Sequence, residues 1–290
     1  MKYIVPLPVL IVAILSMACQ SEPTPAPKPK EEPNKGKLFI IGGGDRTLEL
    51  MEALMEAAAL DSGDYIGILP MSSLEPDSAF IYIREDFKQV SLNPCVNLNF
   101  TESDLINRSK LDSLIQCKLI FITGGDQNKF MNLVHSTPIE EAIKKAFQQG
   151  SVIAGTSAGA AVMSEIMITG DENYSEEYSM TYDKIWKGNG IYQTGLGMLQ
   201  GAIIDQHFVV RSRHNRLLSA LCDFPGHMGI GIDESTAIVV SGDSAMVVGD
   251  SQVLLYSPQD TCDYHFKHYA PKNVRLSILI SGEKFALKTR

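Results

Sequence analysis

The 290-residue sequence has no surplus of positive charge: 25 lysines and arginines stand against 34 aspartates and glutamates, for a formal net charge of −9. Proteins that bind nucleic acid through its phosphates need a basic face, so this composition argues against nucleic acid as a partner. Cysteine is scarce too, with five in the chain. The irregular spacing of Cys95, Cys117, Cys222 and Cys262 indicates neither a disulfide scaffold nor a zinc site, and we expect buried thiols; disulfide pairing in an exported protein is the alternative.

Two further patterns are missing. The apolar run from Tyr3 to Leu15 is too short to span a membrane as a helix. The glycines Gly42-Gly43-Gly44 follow an apolar strand, but they lack the G-x-G-x-x-G order of a dinucleotide site. We therefore interpret this run as a loop that closely approaches an active site, and we expect no cofactor.

The amino terminus is typical of an export signal. Lys2, the apolar run and Leu15-Ser16-Met17-Ala18-Cys19 make residues 1–19 similar to a bacterial lipoprotein signal peptide, in which Cys19 becomes the lipidated first residue. Leu15 lies one position further from the cysteine than is usual, and an ordinary cleaved signal is the alternative. Residues 20–36 are rich in proline and charge, which predicts a linker. We predict a membrane-anchored bacterial lipoprotein, periplasmic or associated with the outer membrane.

Residues 37–290 have a length that suits one α/β domain with a single core. Apolar strands near residues 37–41, 65–70 and 118–122 alternate with helices near 47–60, 79–87 and 139–149. This alternation predicts a doubly wound, mostly parallel sheet. Short strands between residues 237 and 256 predict an antiparallel carboxy-terminal extension of that sheet. The polar, aromatic residues at about 170–196 are predicted to form a long loop inserted over the site.

The stretch Gly155-Thr156-Ser157-Ala158-Gly159 follows an apolar run and precedes a small-residue helix. It has the G-x-S-x-G order of a nucleophile elbow, in which glycines avoid clashes and the serine is exposed to substrate. The N–H of Ala158 and the amino-terminal dipole of the helix are then predicted to stabilise an oxyanion. A glycine-rich turn without chemistry is the alternative for this stretch alone.

A second glycine turn, Thr123-Gly124-Gly125-Asp126-Gln127, ends the strand at 118–122. Loops at the carboxyl ends of parallel strands are where such folds bind ligands. We choose Gly125 as the second oxyanion donor, with Gly124 as the next candidate. Gln127 could bind substrate through its amide. A tight turn that only caps the next helix is the alternative.

Three candidates complete a serine triad. His207 ends the strand Gly201–Gln206, and a histidine with an ordinary pKa near ~6.5 can take the serine proton and return it. Glu234 follows another strand and is our choice for the carboxylate that orients His207. Asp233 is the second choice for this acid and Asp205 the third.

Arg211, Arg213 and Arg216 come directly after His207. Guanidinium groups match carboxylates, so in an acidic protein this cluster predicts recognition of a carboxylate-bearing substrate. A solvated positive patch is the alternative.

Four of these stretches together resemble the cyanophycinase branch of peptidase family S51, over residues from about 37 to the mid-250s. The resemblance implies a flavodoxin-like fold of the class I glutamine-amidotransferase type, with Ser157 as nucleophile, His207 as base and Glu234 as orienting acid. It also implies a substrate pocket lined by six side chains. The matching stretches are Thr123–Gln127, Gly155–Ala160, Asp205–Phe208 with the three arginines, and Gly231–Ala237, and the pocket residues are Gln127, Asp205, Gln206, Arg211, Arg213 and Arg216.

Members of this branch release β-aspartyl-arginine dipeptides from cyanophycin, a poly-aspartate chain that carries arginine on its side-chain carboxyls. The resemblance therefore implies a serine exopeptidase that needs no metal, with Asp205 or an acid of the long loop binding the substrate guanidinium. The interval between Ser157 and His207 is longer than in compact members, which affects the expected substrate more than the chemistry.

Other functions stay open at this point. An aspartyl dipeptidase of the sister branch and a catalytically inactive lipoprotein that binds peptides or glycans would share the scaffold. An esterase of the α/β-hydrolase class would carry its acid before its histidine, and a glutamine amidotransferase would need cysteine at position 157. The oligomeric state is also open, with a homodimer as one alternative.

Overall fold

The computed structural model describes Met1 and residues 36–174, 179–258 and 261–287. From residue 36 onward the described chain belongs to one compact unit. The signal peptide with Cys19, and the linker up to residue 35, lie outside the described residues apart from Met1. Within the described ranges, no helix is both long and apolar enough to cross a membrane.

Strands and helices alternate through the first half of the chain, and strands dominate the second half. The described ranges contain the strands β1 Leu38–Ile41, β2 Ile66–Leu69, β3 Cys95–Asn97, β4 Leu119–Ile122, β5 Val152–Thr156, β6 Ile166–Glu172, β7 Gly190–Thr194, β8 Ala202–Gln206, β9 Met228–Ile232, β10 Thr236–Ser241, β11 Ser244–Gly249, β12 Val253–Pro258, β13 Asp263–His265, β14 His268–Ala270, β15 Val274–Leu279 and β16 Lys284–Ala286. The helices are α1 Leu48–Ala58, α2 Pro76–Val90, α3 Arg108–Ile115, α4 Gln127–Val134, α5 Pro138–Gln148, α6 Ala158–Ala161 and α7 His214–Asp223.

Among the described residues, the central sheet has eight strands in the order β16-β11-β10-β1-β5-β4-β2-β3. The five strands from β1 to β3 in this order are parallel, whereas β10, β11 and β16 run antiparallel at the other side. The predicted doubly wound, mostly parallel sheet with an antiparallel extension is therefore confirmed. The carboxyl ends of β1, β5 and β4 are neighbours at one edge of the sheet, which brings their loops together.

Alternation along each buried strand explains why helices cover both faces of this sheet. In β1, Phe39 and Ile41 pack with Leu50 of α1 and Phe87 of α2 in one apolar cluster. The intervening residues of β1 face the other way, into a second and larger cluster that includes α3, α4 and α5. A strand with apolar residues on both faces is stable only when both faces are covered.

Four strands form a separate second sheet, in the order β15-β12-β9-β8. The sequence predicted β12 in the extension of the central sheet, and this was wrong because β12 pairs with β9. Strands β8 and β9 are parallel to each other and also belong to this second sheet rather than to the central one. The three residues Asp233–Ser235 connect β9 of the second sheet to β10 of the central one, so the two sheets meet at this connection.

The predicted long loop at 170–196 is partly an antiparallel hairpin. Its two ends are the strands β6 and β7, which pair with a register shift between Ile168 and Glu172. The shift interrupts the alternation of apolar and polar residues, which is why a regular strand pattern was not visible in the sequence. Four residues inside this region, 175–178, lie outside the described residues.

The expectation of buried thiols was wrong for one pair of cysteines. Cys222 in α7 and Cys262 before β13 form a disulfide with their Cα atoms 5.3 Å apart. Cys117 is a buried free thiol and Cys95 a half-buried one. Forty residues separate the bonded cysteines in sequence, so their pairing depends on the tertiary fold rather than on a local motif.

Candidate active site

Ser157 lies in a sharp turn between β5 and α6. Its backbone has φ 53° and ψ −108°, a conformation that non-glycine residues rarely adopt, and its N–H donates to the carbonyl of Ile41 at 3.0 Å. The flanking glycines are sterically required: a Cβ on Gly155 would lie 2.4 Å from the Gly159 carbonyl oxygen, and one on Gly159 would lie 2.3 Å from that of Ile122. The turn therefore occurs where the pentapeptide predicts it.

The serine, the histidine and one acid form a hydrogen-bonded line. His207 follows β8, and its Nε2 lies 2.8 Å from Ser157 Oγ. Its Nδ1 lies 2.5 Å from Oε1 of Glu234. With the proton on Nδ1 donated to the carboxylate, Nε2 can accept the hydroxyl proton of Ser157. This geometry suits proton transfer from the serine to the imidazole.

Three consecutive carbonyl groups at the end of β1 hold this line in place. Ile41 accepts the N–H of Ser157, Gly42 accepts that of His207 at 2.7 Å, and Gly43 accepts that of Ser235 at 2.8 Å. Gly43 also contacts the imidazole so closely that a Cβ there would lie 2.3 Å from Cε1 of His207. The glycine run after β1 thus approaches the candidate site closely, as the sequence predicts.

Asp233 and Glu234 are adjacent but point in different directions. The Asp233 side chain accepts the N–H groups of Val209 and Val210 at 3.0 Å each and the hydroxyl of Ser251 at 2.7 Å. Only 3% of Asp233 is exposed. Its carboxylate therefore shapes the turn that follows His207, while the carboxylate of Glu234 faces the imidazole.

The pKa of His207 is lowered from its usual value near 6.5. Burial is the main cause, because it disfavours the charged imidazolium. The hydrogen bond to Glu234 acts in the opposite direction, and the positive charges of Arg211 and Arg213 add to the lowering. The neutral imidazole, which can act as a base, therefore persists to lower pH than in an exposed histidine.

Two loops can supply N–H groups to an oxyanion beside Ser157. An ideal Cβ on Gly124 would lie 3.5 Å from the Cβ of Ser157, so the loop after β4 borders the nucleophile, and Gly125 is its next residue. Ala158 is the first residue of α6, where the N–H has no acceptor within the helix. Because α6 has only four residues, the dipole that the sequence predicted for this helix is small.

Gln127 has a different environment from the one predicted. The residue is 8% exposed, and its amide nitrogen donates to the carbonyls of Ile168 at 3.1 Å and Thr169 at 2.5 Å. The amide nitrogen is therefore bound to β6 instead of being directed at a substrate. It ties the start of α4 to the inserted hairpin.

Asp205 is buried and paired, in contrast to its predicted role as a substrate ligand. Only 1% of it is exposed, and its carboxylate accepts from Nε and from the terminal nitrogen of Arg216 and lies 3.7 Å from Arg213. In this structure the Asp205 carboxylate is therefore paired with arginines of the same chain. Arg213 also donates to the backbone carbonyl and the side-chain oxygen of Gln206, which is 5% exposed.

The three predicted arginines therefore differ in position. Arg213 and Arg216 are largely buried and support the end of β8, next to His207. Arg211 is exposed and close enough to His207 to lower its pKa. Of the three, Arg211 is the one placed at the surface beside the triad. Within the described ranges, no group of three or more His, Cys, Asp and Glu side chains is arranged to bind a metal ion.

Two features of the site were missed by reasoning from the sequence. One is the role of Ile41, Gly42 and Gly43 as backbone acceptors, for which the glycine run was the only signal. The other is the supporting role of Asp233, which carries no pattern that distinguishes it from Glu234.

Comparisons with known proteins extend this picture. The sequence profile described as Peptidase family S51 matches residues 38–248. A cyanophycinase from Nostoc sp. strain PCC 7120 is 33% identical over 273 residues, which cover 89% of this chain and 88% of that protein. A cyanophycinase from Synechococcus elongatus is 30% identical over 284 residues, covering 93% of this chain and 85% of that protein.

Two solved structures share the fold. A peptidase from an acI-B1 actinobacterium superimposes with a TM-score of 0.63 at 21% identity, over 87% of this chain and 97% of that one. A putative peptidase E protein from Listeria monocytogenes EGD-e has a TM-score of 0.52 at 16% identity, over 75% of this chain and 100% of that one. At these identities the likeness establishes the architecture alone.

Proposed function

The chain belongs to peptidase family S51 and is a serine-type peptidase, and from that premise we propose that it is an exopeptidase that releases β-aspartyl-arginine units through an acyl-enzyme. The observation that carries the proposal is the hydrogen-bonded line of Ser157, His207 and Glu234. The order of these residues in the chain, with the acid after the histidine, differs from that of α/β-hydrolase esterases.

In the proposed mechanism His207 removes the hydroxyl proton of Ser157 while Oγ attacks the scissile carbonyl carbon. The N–H groups of Gly125 and Ala158 stabilise the tetrahedral oxyanion, and Glu234 stabilises the imidazolium. Collapse of the intermediate breaks the C–N bond, and the imidazolium gives its proton to the leaving amine. Water, deprotonated by His207, then attacks the ester and releases the acid product and Ser157.

Two observations support a carboxylate-rich substrate that contains arginine. The two relatives described above, at 30% and 33% identity over most of the chain, are cyanophycinases. Arg211 is exposed and its positive charge acts on His207, so an aspartyl carboxylate of the substrate would be attracted to this side of the triad. Since Asp205 pairs with Arg216, we favour the second of the two predicted acceptors for the substrate guanidinium, an acid of the long loop.

The decisive test replaces the nucleophile. Ser157→Ala should lose about 10⁶-fold in kcat, as in other enzymes whose triad serine is removed. Turnover of cyanophycin and of isoaspartyl dipeptides would be followed by mass spectrometry of the products, and a serine-reactive fluorophosphonate would label the native protein but not the variant. Ser103→Ala, at an exposed serine, is the matched control and should retain both properties.

The outcomes separate the alternatives. Release of β-aspartyl-arginine from cyanophycin supports the proposal. Hydrolysis confined to dipeptides with an amino-terminal aspartate would identify an aspartyl dipeptidase instead. Binding of these peptides without turnover or labelling would indicate an inactive scaffold and contradict the proposal.

We also propose that the chain is an exported lipoprotein anchored through Cys19. The disulfide between Cys222 and Cys262 supports export, because such bonds persist in oxidising compartments. In the native bacterium, the protein should sediment with membranes, whereas Cys19→Ala should appear in the soluble fraction. The mature amino-terminal peptide should carry acyl chains by mass spectrometry, and an unacylated peptide would contradict the anchor.

A further inference from the structure

Ser72 is a buried serine in the turn after β2, with 1% of its surface exposed. Its Oγ lies 2.8 Å from the carbonyl oxygen of Thr123, 3.0 Å from that of Gly124 and 2.9 Å from the hydroxyl oxygen of Thr123. A serine hydroxyl has one hydrogen to donate and two lone pairs. All three contacts are satisfied when it shares its hydrogen between the two carbonyls and accepts the hydroxyl of Thr123.

The backbone of Ser72 contacts the same loop further along. Its carbonyl accepts the N–H of Asp126 at 2.8 Å. Between these contacts lies Gly125, with φ +139°, where a Cβ would be 2.2 Å from the carbonyl oxygen of Ser72. Only glycine allows this approach. Ser72 therefore binds the loop on both sides of Gly125.

The contact with the Gly124 carbonyl determines how the following N–H is oriented. In a planar trans peptide, the C=O of one residue and the N–H of the next point in opposite directions. The Gly124 carbonyl is directed at Ser72, so the N–H of Gly125 is directed away from it. On its other side the loop borders the nucleophile, since an ideal Cβ on Gly124 would lie 3.5 Å from the Cβ of Ser157.

We propose that Ser72 is a positioning residue for the oxyanion hole: its hydroxyl holds the carbonyl of the Gly124–Gly125 peptide and its own carbonyl holds the N–H of Asp126, so that the N–H of Gly125 is directed at the developing oxyanion. Without the hydroxyl, this peptide can rotate, and the N–H of Gly125 is then no longer directed at the oxyanion. The inference rests on the proposed serine-peptidase mechanism. It assigns to Ser72 an effect on the transition state rather than on substrate binding.

Ser72→Ala tests this directly. We expect kcat/KM to fall about 10-fold to 100-fold, because misdirecting one donor costs less than the 10²–10³-fold loss of a whole donor. The affinity for a peptide aldehyde, which forms a tetrahedral adduct with Ser157, should fall by a similar factor. In the Ser157→Ala background, the Kd for the uncleaved peptide should not change. A merely structural role would not separate these two affinities.

Three controls keep the test interpretable. Rates are divided by the fraction of Ser157 that fluorophosphonate labels at end point, so unfolded protein does not contribute. Ser72→Cys keeps a weaker donor of similar shape and should give an intermediate rate. Ser73→Ala removes a neighbouring hydroxyl that accepts the N–H of Glu75 in an exposed turn, and its rate should equal that of the native protein.

The failures are distinguishable. If Ser157→Ala retains turnover, the proposed mechanism is wrong irrespective of Ser72. If Ser157→Ala is inactive but Ser72→Ala matches Ser73→Ala in kcat/KM, only the role of Ser72 is overturned. Equal losses of affinity for the aldehyde and for the uncleaved peptide would also overturn it.

Discussion

His207 is surrounded by charges of both signs. Burial opposes its protonation most strongly, Glu234 favours it, and the positive charges of Arg211 and Arg213 oppose it, so that its pKa is lowered from the usual 6.5. The rising limb of kcat/KM with pH reports the pKa of the base in the free enzyme. Activity should therefore extend to more acidic solution than an exposed histidine would allow.

Replacing Arg211 tests this electrostatic balance. In Arg211→Gln, a positive charge that disfavours the imidazolium is lost, so the pKa of His207 should rise and the acidic limb of kcat/KM should move to higher pH. Added salt should shift the native profile in the same direction, because it screens an exposed charge. Arg108→Gln, at an exposed arginine on α3, should leave the limb in place. A shift to lower pH would contradict the balance described.

The candidate site residues could be predicted from the sequence where a local pattern indicates them. Ser157 lies in a pentapeptide whose glycines have a steric purpose, and His207 follows a strand. The choice between Asp233 and Glu234 depended on the direction of two adjacent side chains, which only the fold determines. Ser72 could not be predicted, because it lies in no motif and its hydroxyl contacts a loop about fifty residues later in the chain.

At the scale of elements, α7 connects the site to the carboxy-terminal region. Arg216 in its first turn binds Asp205 at the end of β8. At its other end, Asp223 accepts the hydroxyls of Tyr192 at 3.0 Å and Tyr269 at 2.5 Å. The inserted hairpin and the hairpin of β13 and β14 are thus both attached to the helix that supports His207.

The disulfide at the end of α7 should contribute to stability more than to rate. Closing a loop of 40 residues restricts the unfolded chain, and the chain-entropy model gives about 4 kcal/mol for its loss. In a Cys222→Ser, Cys262→Ser double variant, the free energy of unfolding should be lower by this amount, and the midpoint of denaturation should fall accordingly. The value of kcat/KM should stay within about twofold at 25 °C. Denaturation followed by circular dichroism would measure the difference.

The matched comparison uses a reductant and the half-buried free thiol. Reduced native protein should match the double variant, whereas Cys95→Ser should keep its sensitivity to reductant. Native stability that does not change on reduction would show that the disulfide is not formed in solution.

Local pattern predicted some elements well and others poorly. The helix α5 has a strong apolar face and is followed by Gly150, so its position was predicted to within one residue. Its start at Pro138 is capped by the side chain of Thr137. The hairpin of β6 and β7 was missed, since its register shift and its glycines hide the alternation. The inserted segment is stabilised by contacts with distant residues, such as Tyr192 with Phe224 at 4.9 Å between ring centroids.

For the whole molecule, the parallel core was predictable because consecutive strands and helices alternate in the sequence. The division into two sheets was not, because it depends on which strands pair, and β12 pairs with β9 and β15 rather than continuing from β11. Pairing between strands that are distant in sequence has no local signal. Yet this division brings Glu234 to the point where the sheets meet.

The carbonyl groups at the end of β1 have a consequence for the order of events during synthesis. Ile41, Gly42 and Gly43 leave the ribosome early, but their hydrogen-bond donors at Ser157, His207 and Ser235 emerge in the middle and late parts of translation. Contacts so distant along the chain form only after long loops have closed. The candidate site is therefore assembled only when distant parts of the chain have folded around β1, and a partly synthesised or unfolded chain should not hydrolyse peptides.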